Sequence, residues 1–291
     1  MRLANPEGSP PDPAPSRRTL LAGSIFTIGY AAALSPAAAS AIETDSEGLI
    51  IEEPHFPAHG GYALPAYVAR PAANGRHPAV IVVNEIFGIH AYIKDTCRRL
   101  AKAGFVAIAP DYFDRAGDPS TLEDFGEIRK IVGTAGYEQQ MGDTGGALDF
   151  LKAQAYVEPS KLAITGFCWG GSVVWLACEE FSSLKAGAAW YGRLVGQPGG
   201  PARPWPADRA ESLKAPVLGL YGGLDQGIPL ADVEAMRAAL AQAGNPTKSE
   251  IIVYPESQHG FHADYRPSFD AVAAKDGWAR MLAWFKAHGL A

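Results

Sequence analysis

Short apolar runs alternate with longer amphipathic ones along most of the chain, and this alternation predicts an α/β architecture. The runs at 66–70 (AYVAR), 79–85 (AVIVVNE), 105–110 (FVAIAP), 162–167 (LAITGF), 186–192 (AGAAWYG), 216–222 (PVLGLYG) and 250–255 (EIIVYP) are short and mostly apolar. Such strands belong in a sheet that helices cover on both faces, since neither face can be left to water. Between them, 91–104, 137–154, 172–181, 230–244 and 268–289 carry helical spacing. In 91–104, Ile93, Thr96, Cys97, Leu100 and Ala103 share one face, and a glycine ends the run. Repeated strand–helix units predict a mostly parallel, doubly wound sheet of about eight strands. The strands before the first helix predict an antiparallel edge. Residues 193–211, rich in Pro and Gly, stand where a helix is expected. They read either as a loop over the site or as a surface insertion without a role.

The first forty residues follow another pattern. Arg17 and Arg18 precede an uncharged apolar run, and small residues cluster from Ala37 to Ala41. This is the layout of a twin-arginine export signal. The Gly and Ser residues and Pro36 in the run, with its A-x-A-like end, favour removal over a membrane anchor. The expected organisation is an export signal over 1–41 and a single α/β domain over 42–291. That domain is expected in the periplasm or secreted, as a monomer that meets a membrane only through its signal. The chain has 291 residues, 47% of them hydrophobic, and a formal net charge of −6. It lacks the basic stripe that would make nucleic acid a partner.

Three cysteines are present, Cys97, Cys168 and Cys178, and the odd number implies at least one free thiol. Ten residues of helix separate Cys168 from Cys178 by roughly 15 Å, too far for a disulfide. Spacing alone leaves a Cys97–Cys178 bridge open.

The candidate chemistry starts at "LAITGFCWGG", a strand, a G-x-C-x-G turn and a helix. A nucleophile on such a turn sits in a strained conformation at the strand's carboxyl end, and the flanking glycines let strand and helix approach. The helix N-terminus favours the thiolate of Cys168. A thiol also needs a base and a group to orient it. Asp225 and His259 follow in that order, each just past the carboxyl end of a predicted strand, where doubly wound sheets place their sites. The strand at 79–85 runs into Glu85 and a loop. In this arrangement that loop and the residue after the nucleophile supply two oxyanion N–H groups, here those of Ile86 and Trp169. His262 lies three residues from His259, but without a cysteine or carboxylate cluster no metal site is expected. His55, His59, His77, His90 and His288 read as surface residues.

Four stretches resemble the dienelactone hydrolase (carboxymethylenebutenolidase) family of the α/β-hydrolase fold. They are 84–113, 166–171 (GFCWGG), 221–229 (YGGLDQGIP) and 254–262 (YPESQHGFH). The resemblance implies Cys168 as nucleophile, His259 as base and acid, Asp225 as its orienter, and no cofactor. It also implies a regulatory Glu85 that contacts the thiol or the histidine and helps to form the thiolate when substrate enters. The implied reaction is hydrolysis of a lactone or small ester through a cysteine acyl-enzyme. A thioesterase or peptidase on the same triad is one alternative, and a binding protein on a retired hydrolase scaffold is another. Lactone hydrolases of this family hold a substrate carboxylate with arginines, one of them four residues past the catalytic histidine. That position is Ala263 here, which leaves Arg266 to supply the cation, with Arg129 or Arg193 as a second. Phe87, Tyr112 and Phe261 are expected to line the substrate pocket.

Overall fold

The computed structural model describes residues 41–196 and 203–290. The expected export signal, apart from Ala41, lies outside the described residues. Among those residues nine strands form one sheet: β1 (Leu49–Glu52), β2 (His55–Pro57), β3 (Ala63–Pro71), β4 (His77–Val83), β5 (Val106–Pro110), β6 (Val157–Phe167), β7 (Leu184–Trp190), β8 (Val217–Gly222) and β9 (Glu250–Tyr254). Their order is β1-β3-β5-β4-β6-β7-β8-β9, with β2 paired to β3. β1, β2 and β5 run antiparallel to β3, and every pairing from β5 through β9 is parallel. This is the mostly parallel sheet that the apolar runs predict, with an antiparallel edge, and it has the α/β-hydrolase layout that the resemblance implies.

Among the described residues six α-helices accompany it: α1 (Ala91–Lys102), α2 (Phe125–Thr134), α3 (Tyr137–Ala153), α4 (Trp169–Glu180), α5 (Leu230–Gln242) and α6 (Ala271–Ala287). Strand side chains alternate between faces. Ile81 and Val83 of β4 therefore join Leu148, Trp175 and Met236 of α3, α4 and α5 on one side. Val80 and Val82 join Leu100 of α1 and Met281 and Phe285 of α6 on the other. The two spare cysteines are split between these cores: Cys178 lies in the first and Cys97 in the second. The sheet separates them, so the bridge that spacing left open does not form, and both are free thiols.

Two elements escaped the periodicity. α2 buries only Ile128, so it shows no apolar stripe; its start is set by Asp124, whose side chain accepts from the Glu127 N–H. At the end of the expected loop 193–211, and one residue beyond it, Pro206–Ser212 forms a 3-10 helix.

The order of the strands locates the site. β4 leads through α1 outward to β5, and the chain then returns across β4 to β6. Connections therefore diverge between β4 and β6, and the crevice at their carboxyl ends is where such sheets bind ligands. Glu85 follows the first of these strands and Cys168 the second.

Candidate active site

Cys168 sits between β6 and α4 with φ 55° and ψ −113°, in the left-handed half of φ space that a residue with a Cβ avoids. Such strain costs about 1–3 kcal/mol and persists only where the surroundings enforce it. Here they do. A Cβ on Gly170 would lie 2.5 Å from the Val83 carbonyl oxygen, and one on Gly166 would lie 2.5 Å from the Gly170 oxygen. Only glycines allow α4 to start hard against β4 and β6. The Cys168 N–H donates to the Trp190 carbonyl at 3.0 Å, which ties the turn to β7 as well. The same close approach brings Trp169, the first residue of α4, to the corner where Ile86 follows Glu85.

His259 lies beyond β9 and Asp225 beyond β8. His259 Nδ1–H donates to Asp225 Oδ2 at 2.7 Å. The other carboxylate oxygen accepts from the N–H groups of Gly227 and Ile228, at 2.8 and 2.9 Å. Those bonds fix the side chain of Asp225 in place, and its second oxygen fixes the orientation of the imidazole. The ring is buttressed edge-on by Tyr191, with centroids 5.1 Å apart. Its remaining nitrogen is left for Cys168, and the charge of each side chain acts on the other.

The electrostatics favour a thiolate–imidazolium pair. Burial alone would push the Cys168 thiol up, but the charge of His259 and its hydrogen bond outweigh burial and hold the thiol below its ordinary value. Burial likewise works against the imidazolium. The Asp225 and Cys168 charges and their hydrogen bonds overcome it and raise His259 to about 10. Two further charges act on the sulfur: Glu85 opposes the thiolate and Arg266 supports it.

Glu85 is completely buried, and it is held by residues outside the triad. Arg266 Nη2 donates to its Oε1 at 2.9 Å, and the Tyr265 hydroxyl donates to its Oε2 at 2.5 Å. His90 Nε2 stands 3.6 Å from the same oxygen. Burial would raise this carboxyl, yet Arg266 and then His90 and Tyr265 bring it down to about 2. Sequence reasoning missed Tyr265 and read His90 as a surface residue. His90 is instead half-buried, packed edge-on to the Tyr265 and Phe87 rings.

Three expectations about substrate contacts need correction. Arg266 does not present a free guanidinium, since it is 3% exposed and paired with Glu85. Tyr112 is fully buried, its hydroxyl bonded to Thr144 Oγ1 at 2.8 Å, and Phe261 is fully buried between Trp190, Tyr191 and Tyr254. Both rings pack into the core clusters and neither is exposed to solvent. Phe87 keeps 9% exposure at the edge of the crevice, beneath the Arg266 guanidinium. Arg193, from the expected second-cation pair, donates to the Gly227 carbonyl at 3.3 Å beside Asp225. His262 is buried among Phe167, Trp190 and Trp278, with Nδ1 against the Tyr92 hydroxyl at 2.6 Å. Burial and Arg99 lower it to about 3, so it is neutral. Among the described residues no group of three or more His, Cys, Asp or Glu is placed to hold a metal ion.

Comparison with known proteins agrees with this fold. The model of the dienelactone hydrolase family matches residues 64–289. A Methylorubrum extorquens protein named as a candidate carboxymethylenebutenolidase is 48% identical over 278 residues, covering 95% of this chain and 94% of its own. One of the same name from Escherichia coli K12 is 44% identical over 267 residues, covering 90% of this chain and 96% of its own. The crystal structure of a candidate dienelactone hydrolase from Klebsiella pneumoniae superposes with a TM-score of 0.77 at 46% identity, covering 82% of this chain and 98% of that one.

Proposed function

The chain belongs to the dienelactone hydrolase family, and from that premise we propose that it hydrolyses lactones or small esters through an acyl-enzyme on Cys168. The observation that carries the reading is the thiol–imidazole pair, in which each charge stabilises the other, with the imidazole anchored in turn on Asp225. A thiolate stabilised in place is a nucleophile without needing a separate deprotonation step.

The sulfur attacks the substrate carbonyl carbon, and the carbonyl electrons move to oxygen. The N–H groups of Ile86 and Trp169 receive that oxyanion, each donor contributing about 3–4 kcal/mol to such a step. Collapse expels the ring or alkoxy oxygen, which takes the proton from His259. Neutral His259 then accepts a proton from water as its oxygen attacks the thioester. The second collapse releases the acid and restores thiolate and imidazolium. Asp225 holds the ring orientation through both proton transfers.

Arg266 and Glu85 form a buried pair next to the sulfur. A substrate carboxylate that competes with Glu85 for Arg266 would leave Glu85 seeking a proton or a new partner. Carboxylate-bearing and plain esters are therefore both tested. The pattern of residues 1–41 supports export by the twin-arginine route before the enzyme acts.

Labelling by an activity-based thiol probe, with and without Cys168→Ala, tests the nucleophile. Hydrolysis of p-nitrophenyl acetate and of a panel of lactones tests the reaction. If Cys168→Ala retains wild-type turnover, the acyl-enzyme is ruled out.

A further inference from the structure

The residues that follow the A-x-A-like end of the leader lie as a strap along the polar side of α1. The Thr44 N–H donates to Asp95 Oδ1 at 2.5 Å, and Arg98 Nε donates to the Thr44 carbonyl at 2.7 Å. Lys102 Nζ donates to Asp45 Oδ1 and to the Glu47 carbonyl, each at 2.6 Å. At the start of the strap, the backbone N–H of Ile42 is directed at the carboxylate of Asp264, which also takes a hydrogen bond from Arg99. Arg99 Nη2 reaches the Ile42 carbonyl as well, at 3.5 Å.

Asp264 connects this strap to the candidate site. It is 1% exposed and lies between His262 and Arg266, on the loop that delivers Tyr265 and Arg266 to Glu85. The cation it pairs with is shared: Arg99 Nε also donates to Asp95 Oδ2 at 2.5 Å. Burial and the Asp95 charge together keep the Asp264 carboxyl above its ordinary range in spite of Arg99. A buried carboxylate in that position is short of positive charge.

We infer that cleavage of the Ala41–Ile42 bond creates the missing cation, and that the α-ammonium of Ile42 then ion-pairs with the Asp264 carboxylate and fastens the strap to the catalytic loop. The inference rests on the export reading. Ile42 is 49% exposed, which leaves the bond open to a signal peptidase. Water adds across the bond, leaving a carboxylate on Ala41 and an amine on Ile42. With an ordinary α-amino pKa of about 7.7–8.0, that amine takes up a proton at neutral pH. Before cleavage the same nitrogen carries one N–H and no charge. Afterwards it carries three N–H donors and a positive charge, at a position already aimed at Asp264.

The test compares three chains: one beginning at Ile42 with a free amine, the same chain with that amine acetylated, and one carrying a single glycine before Ile42. The free-amine chain is expected to unfold about 2–4 °C above the other two. Its amides over 260–269 are expected to exchange more slowly with deuterium, and Asp264→Asn is expected to abolish both differences. Edman sequencing of the exported protein is expected to begin at Ile42. Equal melting and exchange in the free and acetylated chains overturns the inference, whatever the exported protein's first residue. An exported protein that begins elsewhere, or keeps its leader, overturns the maturation step together with the export reading and leaves the hydrolase reading standing.

Discussion

Glu85→Gln separates the structural work of the buried glutamate from its effect on the sulfur. The Glu85 side chain is 0% exposed and that of Arg266 is 3% exposed, so solvent screening does not weaken their pairing. The Glu85 carboxyl lies at about 2 in the fold against an ordinary 4.5. A gap of about two and a half units corresponds to about 3 kcal/mol of folding free energy. Because the folded value is depressed, that stability is present above pH 4.5 and is lost as pH falls towards 2. Removing one member of a buried pair typically costs about 3–5 kcal/mol, and Gln keeps one oxygen to accept from Arg266 while its NH2 can donate to the Tyr265 hydroxyl, which favours the lower end. Both routes arrive at about 3 kcal/mol. The variant should therefore melt roughly 6–12 °C lower at neutral pH, and the gap should close as the pH is lowered from 4.5 to 2. The thiol should respond in the opposite sense. Glu85 opposes the thiolate and Arg266 supports it, so losing the anion lowers the Cys168 pKa further. Iodoacetamide alkylation at about pH 5, followed by mass spectrometry of the Cys168 peptide, should be faster in the variant than in wild type. An unchanged melting temperature, or slower alkylation, would refute this account of Glu85.

Other perturbations test the remaining parts of the fold and site. His259→Ala removes the proton carrier and the charge that supports the thiolate, so ester hydrolysis should fall by about 10²–10⁴-fold and alkylation of Cys168 should slow at neutral pH; unchanged p-nitrophenyl acetate hydrolysis rejects the triad. In the wild type His259 stands at about 10 against 6.5, so its contribution to stability is complete below pH 6.5 and fades as pH rises through 10, which calorimetry across that range should detect. Gly170→Ala places a methyl 2.5 Å from a backbone oxygen that no rotamer can move, and its guanidinium midpoint should drop by the equivalent of about 1–3 kcal/mol; an unshifted midpoint refutes the packing argument. Glu179, on α4, is raised by burial to about 9 despite Arg209, so the fold loses stability as pH climbs from 4.5 towards 9. Glu179→Gln should raise the melting temperature at pH 8 and leave it unchanged near pH 4.5, and equal melting at pH 8 contradicts that reading.

What could be read directly from the sequence shares a physical cause: the information is local. The carboxyl-terminal parts of β4 and β6 are buried on both faces, so each reads as a mostly apolar run. The turn at Cys168 shows itself through Gly166 and Gly170, because the two glycines that permit the close approach lie within five residues of sequence, even though one of them makes room for the Val83 carbonyl. Asp225 and His259 stand out because strand ends are visible and this architecture puts chemistry there. α2 was hidden because a helix with one buried residue has no stripe to display. Tyr112 and Phe261 were misread because an aromatic ring at a strand end looks alike whether it faces a ligand or the core; only the third dimension decides that. The clamp on Glu85 was hidden most deeply, since its partners lie 180 and 181 residues along the chain. A carboxylate at a strand end signals that some compensating charge must exist, because an unpaired one could not remain ionised there. It does not signal which residue supplies that charge. Arg266 was noticed as a cation available to substrate. The requirement that buried Glu85 be neutralised gives it a prior partner, so any anionic substrate that reaches Arg266 must compete with Glu85 for it.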